Sequence, residues 1–250
     1  MIRPLVAKIK PANGFAYFLH LGLLILLPLA VFVLVRTQFT QLALSIILLS
    51  KWRMFAVRPR FWPAIIRANS VDIIVGVSIL IFMTHAGTAG WQFIWAVLYG
   101  FWLIVLKPLG GTYMTAIQAM IGQLCGLMAL FLAWSTGPLY GLVLTSGFIC
   151  FLAARHYFDS FDEPYAKLLS YLWGYFGAAL MWLLGHWLLF YGLLSQPALI
   201  LSVLGYGLAV LYYFDHSDRL SPGLKKQFVF IMVAVIIVIL SFSDWGDKVV

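Results

Sequence analysis

Long runs of mainly apolar residues fill this chain from end to end. A membrane-crossing helix needs roughly 20 such residues. Nine candidate runs can be bounded, at 15–35, 37–57, 70–86, 91–106, 112–133, 137–154, 168–191, 197–214 and 227–243. Between them lie short turn-forming connections such as "THAGTAG", "KPLGG", "STGP", "LSQP" and "LSPG". None has room for a second domain. The expected fold is therefore all-α: one polytopic transmembrane helix bundle over residues 1–250, with no soluble domain. Composition agrees, since only 10% of the 250 residues are charged, against about 25% in soluble domains. A soluble chain of this kind would lack the polar groups to cover its own surface.

Two features of the pattern leave the span count at eight or nine. The run 37–57 has thirteen uncharged residues, Gln38 to Ser50, before Lys51. It crosses only if the helix continues to about Val57, with Lys51 and Arg53 snorkelling to the interface. The runs 70–86 and 91–106 are short enough to form a re-entrant hairpin.

Charge then sets the expected orientation. With the N-terminus in the cytoplasm, 14 of the 16 basic residues lie on the cytoplasmic side. They are Arg3, Lys8, Lys10, Lys51, Arg53, Arg58, Arg60, Arg67, Lys107, Arg155, Lys167, Arg219, Lys225 and Lys226, while Arg36 and Lys248 fall outside. The positive-inside rule expects such a bias. It predicts a protein integral to the cell (inner) membrane, N-terminus in and C-terminus out. Arg3, Lys8 and Lys10 resemble a signal-peptide n-region, but the run 15–35 is too long for an h-region and no A-x-A site follows, so it reads as a retained span. The net charge of +8 does not point to nucleic acid, because there is no soluble basic face carrying base-reading groups.

The densest basic stretch, "SKWRMFAVRPRFWPAIIRANSVD" at 50–72, interleaves cations with Trp52, Phe55, Phe61 and Trp62. Aromatic rings favour headgroup depth and Lys or Arg meets lipid phosphate, so the stretch anchors a cytoplasmic loop. A sharper reading makes Arg58, Arg60 and Arg67 a specific site for a lipid phosphate. Asp72 opens the next run. A carboxylate at mid-membrane costs on the order of 2.5–3.5 kcal/mol, less near the interface. Asn69, Asp72 and Gly76 share a helical face, which suggests a polar intramembrane site; the simpler reading is an aspartate at a favourable helix N-terminus. In the run 112–133, Gln118 and Gln123 lie in the membrane and Gly122 with Gly126 forms a GxxxG that permits close helix approach. The glutamines are packing glue or the lining of a pathway. Trp91, Trp95 and Trp102 share a face that reads as lipid-facing.

Acidic residues gather in "RHYFDSFDEPYAK" and "FDHSDRLSPGLKK". Asp159 and Asp162 stand three apart, a helical spacing at which carboxylates could hold Mg²⁺ with phosphate or water. The alternative is that Asp162, Glu163 and Pro164 start the next helix. In layout the chain resembles intramembrane prenyltransferases of the UbiA type, which have nine spans and two cytoplasmic aspartate-rich motifs that bind Mg²⁺-diphosphate. The likeness is one of span count and loop placement. That family's first motif, an Asn-Asp run with further Asp at four-residue spacing, is absent, there being only Asn69 and Asp72; its second, two Asp four apart, is absent too, since Asp159 and Asp162 are three apart. No G-x-S-x-G, H-E-x-x-H, P-loop or dinucleotide glycine fingerprint occurs.

Three functions stay open. The first is binding, with or without processing, of an anionic or phosphate-bearing membrane lipid at the cytoplasmic face. The second is transport of a small solute or protons past Asp72, Gln118 and Gln123. The third is a non-catalytic scaffold or complex subunit that binds other membrane proteins.

Overall fold

The turn formers divide the chain where the sequence places its connections. The computed structural model describes residues 14–134, 137–161, 163–186, 190–191 and 194–243. Ten α-helices run through them: α1 Phe15–Arg36, α2 Thr40–Leu49, α3 Trp62–Ala68, α4 Ser70–His85, α5 Ala89–Phe101, α6 Thr112–Trp134, α7 Leu139–Phe158, α8 Ala166–Leu184, α9 Gln196–His216 and α10 Pro222–Phe242. Two 3₁₀ turns, Trp52–Ala56 and Pro59–Phe61, lead into α3. A π-helical turn, Trp102–Leu106, ends α5. Phe190–Tyr191 and Leu194–Ser195 pair as a minimal antiparallel hairpin.

Among the described residues five helices are long and apolar enough to cross a membrane: α5 with its π turn (Ala89–Leu106), α6, α7, α9 and α10. The segment Pro59–Ala68 and α4 pass the same test together, but they meet at a bend of 59°. Asn69 sits at that bend, with its side-chain amide donating to the Ile65 carbonyl at 2.9 Å. Leucine, isoleucine, valine and phenylalanine side chains stand exposed along most of the helices. An apolar exterior on this scale belongs in lipid, since soluble monomers rarely expose contiguous apolar patches beyond a few hundred Å².

The expected helix through residue 57 does not form. α2 stops at Leu49, and the Ser50 hydroxyl closes the turn by donating to the Ile47 carbonyl at 2.6 Å. Ten residues rise only about 15 Å at 1.5 Å each. The chain then breaks into short turns, held by the Trp62 indole donating to the Val57 carbonyl at 2.9 Å and by edge-on packing of Phe55 against Trp62.

The two larger of four buried clusters among the described residues organise the bundle. One, around Val31, Ile47, Val75, Met83, Tyr99 and Leu103, joins α1, α2, α4 and α5. The other, around Leu127, Leu142, Cys150, Met181 and Leu201, joins α6–α9. Helix α6 links them. It packs against α4, α7 and α9, as its small-residue stripe predicts. A Cβ at Gly122 would stand 2.8 Å from Val71, and one at Gly126 would stand 2.7 Å from Ile74. Helix α10 is peripheral: it packs on α9, and Ile239 is its only buried residue before Ser243.

Candidate functional site

Alternation of the helices brings the ends of α2, α5 and α7 to the same level as the starts of α4, α6 and α8. The polar side chains of the bundle concentrate at that end, and they form two separate clusters.

The first is built on Asp72. Its Oδ2 receives the Lys51 ammonium at 2.5 Å and the Lys107 ammonium as well. Its Oδ1 accepts from the Trp102 indole at 3.0 Å. Asp72 and Lys51 are both buried, with side chains 7% and 6% exposed, while Lys107 keeps 35% of its side chain accessible. Local structure explains the convergence. Lys51 leaves the broken end of α2, and Trp102 begins the π turn of α5. One turn along α4 the missing side chain of Gly76 makes room for Tyr99, whose hydroxyl would be 2.9 Å from a Cβ there. The Tyr99 side chain is fully buried and its hydroxyl has no hydrogen-bond partner. Trp102 is therefore not lipid-facing, in contrast to Trp91, which is exposed as its position suggests. Nor does Lys51 snorkel. An unpaired charge in this environment is far more costly than a paired, hydrogen-bonded one, and Asp72 supplies the pair.

The second cluster is built on Asp159 at the end of α7. Arg155 reaches its Oδ1 at 3.0 Å, one helical turn back, and Arg67 Nε from α3 lies 3.8 Å from its Oδ2. The Nε atoms of both arginines are buried with no hydrogen-bond acceptor. A polar pocket of about 170 Å³ lies beside Arg155, walled by Arg155, Phe158, Asp159, Glu163 and Lys167 among others but not by Arg67. Asp162 lies outside the described residues. Among the described residues no three His, Cys, Asp or Glu side chains converge as metal ligands would.

The two intramembrane glutamines are occupied by hydrogen bonds. Gln118 donates to the Leu106 and Leu109 carbonyls at 2.6 and 3.1 Å, satisfying the end of α5, and its Oε1 lies 3.3 Å from His156 Nε2. Gln123 donates to the Leu201 carbonyl on α9 at 3.0 Å and accepts from the Trp173 indole on α8 at 2.8 Å. That approach depends on Gly205, where a Cβ would stand 2.8 Å from Gln123 Nε2. Both glutamines join helices, as the packing reading expects.

Arg58 and Arg60 are exposed, and the Arg60 guanidinium lies over the Phe61 ring, 4.6 Å from its centroid. Asn69 is engaged with its own backbone at the α3–α4 bend. Thus Arg67 and Asp159 meet, and Asp72 meets neither. The sequence reading passed over Lys51, Trp102 and Lys107 as the partners of Asp72. The available signal was charge: a buried carboxylate calls for a cation, and Lys51 interrupts an otherwise apolar run.

A feature with no counterpart in the sequence is a groove of about 1310 Å³ between α6, α8, α9 and α10, with the end of α7 also on its wall. Met120, Leu124, Leu172, Phe176, Val203 and Phe228 are representative of its apolar walls. Gln123 and Ser202 are polar points along its length, and the Ser202 hydroxyl is buried without a partner. Tyr212, Asp215 and Lys225 gather at the end shared with the two clusters. Compared with family models, curated proteins and solved structures, the chain matches none.

Proposed function

We propose that this chain is an integral protein of the cell membrane that binds a lipid along the α6–α8–α9–α10 groove, with the charged end of the bundle in the cytoplasm. In this reading α1, α2 and α4–α10 alternate in direction, giving the nine passes expected from the sequence, with α2 a partial pass. The turns and α3 between α2 and α4 lie along the cytoplasmic interface. The excess of basic residues at that end supports the orientation.

The observation that carries the function is the groove itself. Its volume, about 1310 Å³, exceeds the roughly 300–1,000 Å³ of drug-sized pockets. It is apolar over most of its length and carries ionisable groups at one end. That is the outline of an amphiphile: chains along the groove, headgroup at the mouth. Its floor is made by α6 and α9, tied together through Gln123, so the site is backed by a fixed helix pair. Peripheral α10 forms one lip. The same hydrogen bonds count against a polar path beside Gln118 and Gln123.

Native mass spectrometry of the gently extracted protein tests this. The expected result is co-purifying phospholipid that is lost in Ala179→Trp, which places an indole in the groove from an exposed position on α8. A wild-type protein that retains no lipid, or a variant that retains lipid equally well, overturns the reading.

A further inference from the structure

Resting on the reading of the groove as a lipid site, we propose that the pocket beside Arg155 and Lys167 is the subsite for the phosphate of that lipid. The pocket lies next to the groove. Phe158 is a wall of both, and the Tyr212 hydroxyl, on the groove side, donates to the Glu163 carboxylate on the pocket side. In this proposal a lipid whose chains lie against Leu172 and Phe176 sets its head at the pocket.

The chemistry of the pocket is a surplus of donors. Asp159 accepts one guanidinium contact at 3.0 Å and stands 3.8 Å from the other. This leaves the Nε–H groups of Arg67 and Arg155 buried without acceptors. A buried donor without an acceptor costs about 1–3 kcal/mol, and an incoming oxygen removes that cost. The Lys167 ammonium lies 6.0 Å from the Tyr171 ring centroid, and no described carboxylate is within ion-pair range of it. Among the described walls of the pocket Arg155 and Lys167 stand with Asp159 and Glu163; Arg67 is not a wall but also draws on Asp159 from α3, and Asp162 falls outside the described residues. An anion with several acceptor oxygens would serve both the Arg155 Nε–H and the Lys167 ammonium. A phosphate diester meets this description, with one negative charge and oxygens that suit arginine donors. The pocket has room for several waters, and hence for a compact tetrahedral group.

The full-length protein in detergent, titrated in native mass spectrometry with phosphatidylglycerol, with diacylglycerol of the same chains, and with inorganic phosphate, separates the possibilities. Wild type is expected to retain phosphatidylglycerol about tenfold better than diacylglycerol, one charge-assisted contact's worth, and to bind inorganic phosphate far more weakly than either lipid. Lys167→Gln removes the preference without weakening diacylglycerol, and Lys167→Arg restores it. Because Arg155 also holds Asp159, the Lys167 variants decide. Equal retention of the two lipids, unchanged by Lys167→Gln, overturns the phosphate subsite and leaves the groove reading intact. Tight binding of inorganic phosphate alone makes the pocket a site for free phosphate and overturns its link to lipid. Failure of both lipids to bind removes the groove reading itself.

Discussion

Asp72 and Asp159 stand at the same end of the bundle, each between two cations, and the resemblance stops there. Around Asp72 both carboxylate oxygens are engaged, by Lys51, Lys107 and the Trp102 indole, and the carboxylate is almost wholly buried. Around Asp159 the carboxylate side chain is 42% exposed and two guanidinium nitrogens are left without acceptors. The first cluster draws α2, α4 and α5 together with both carboxylate oxygens engaged; its surplus positive charge can sit at the aqueous boundary on Lys107. The second joins α3 to α7 loosely and faces a pocket. Formal charge is alike in the two. Burial and donor satisfaction separate a structural clasp from a candidate site.

This contrast is easiest to break at Asp72. Asp72→Asn leaves two ammonium groups competing for a neutral amide, one of them buried. Removing one partner of a buried pair costs about 3–5 kcal/mol. A large fall in the melting midpoint in detergent is expected, and an unchanged midpoint would show that the cluster does not clasp the helices. Lys107→Met is expected to cost less, roughly 1 kcal/mol: a charged hydrogen bond contributes about 1.5–3 kcal/mol, partial exposure reduces it, and Lys51 still neutralises the carboxylate. A thermal shift as large as that of Asp72→Asn would overturn this ranking. The smallest stability change is expected for Asp159→Asn, about 0–1 kcal/mol as for exposed pairs. Its effect on binding has the opposite sign. Freeing Arg67 and Arg155 should strengthen retention of phosphatidylglycerol over diacylglycerol, and weaker retention would show that Asp159 positions the arginines instead of competing with the phosphate.

How far the sequence could be read depended on the kind of relation involved. Apolar runs of bilayer length announce a helical membrane bundle, because in lipid every backbone polar group must be satisfied within a helix or a closed barrel. Gly122 and Gly126 mark the face of α6 that another helix approaches, and Val71 and Ile74 of α4 occupy it. Gln118 and Gln123 are hydrogen-bonded between elements, as glutamines inside a membrane should be. The length of α2 was not legible: Lys51 read as an interfacial cation because snorkelling is the ordinary fate of a lysine near a span end. Trp102 was misassigned because a row of tryptophans on one helical face reads as lipid-facing, whereas that face packs into the bundle at Trp95 and Trp102.

From the sequence alone, then, came the class of fold, the concentration of charge at one end, and Asp72, Arg67 and Asp159 as residues to watch. Each follows from solvent: apolar runs leave water, and charges stay near it. The pairing of Asp72 with Lys51 and Lys107, the meeting of Arg67 with Asp159, and the groove beside α10 belong to the tertiary structure. These contacts join residues far apart in the chain, or lie between helices that are not neighbours in sequence. Periodicity tells which face of a helix turns inward; only packing decides what that face meets.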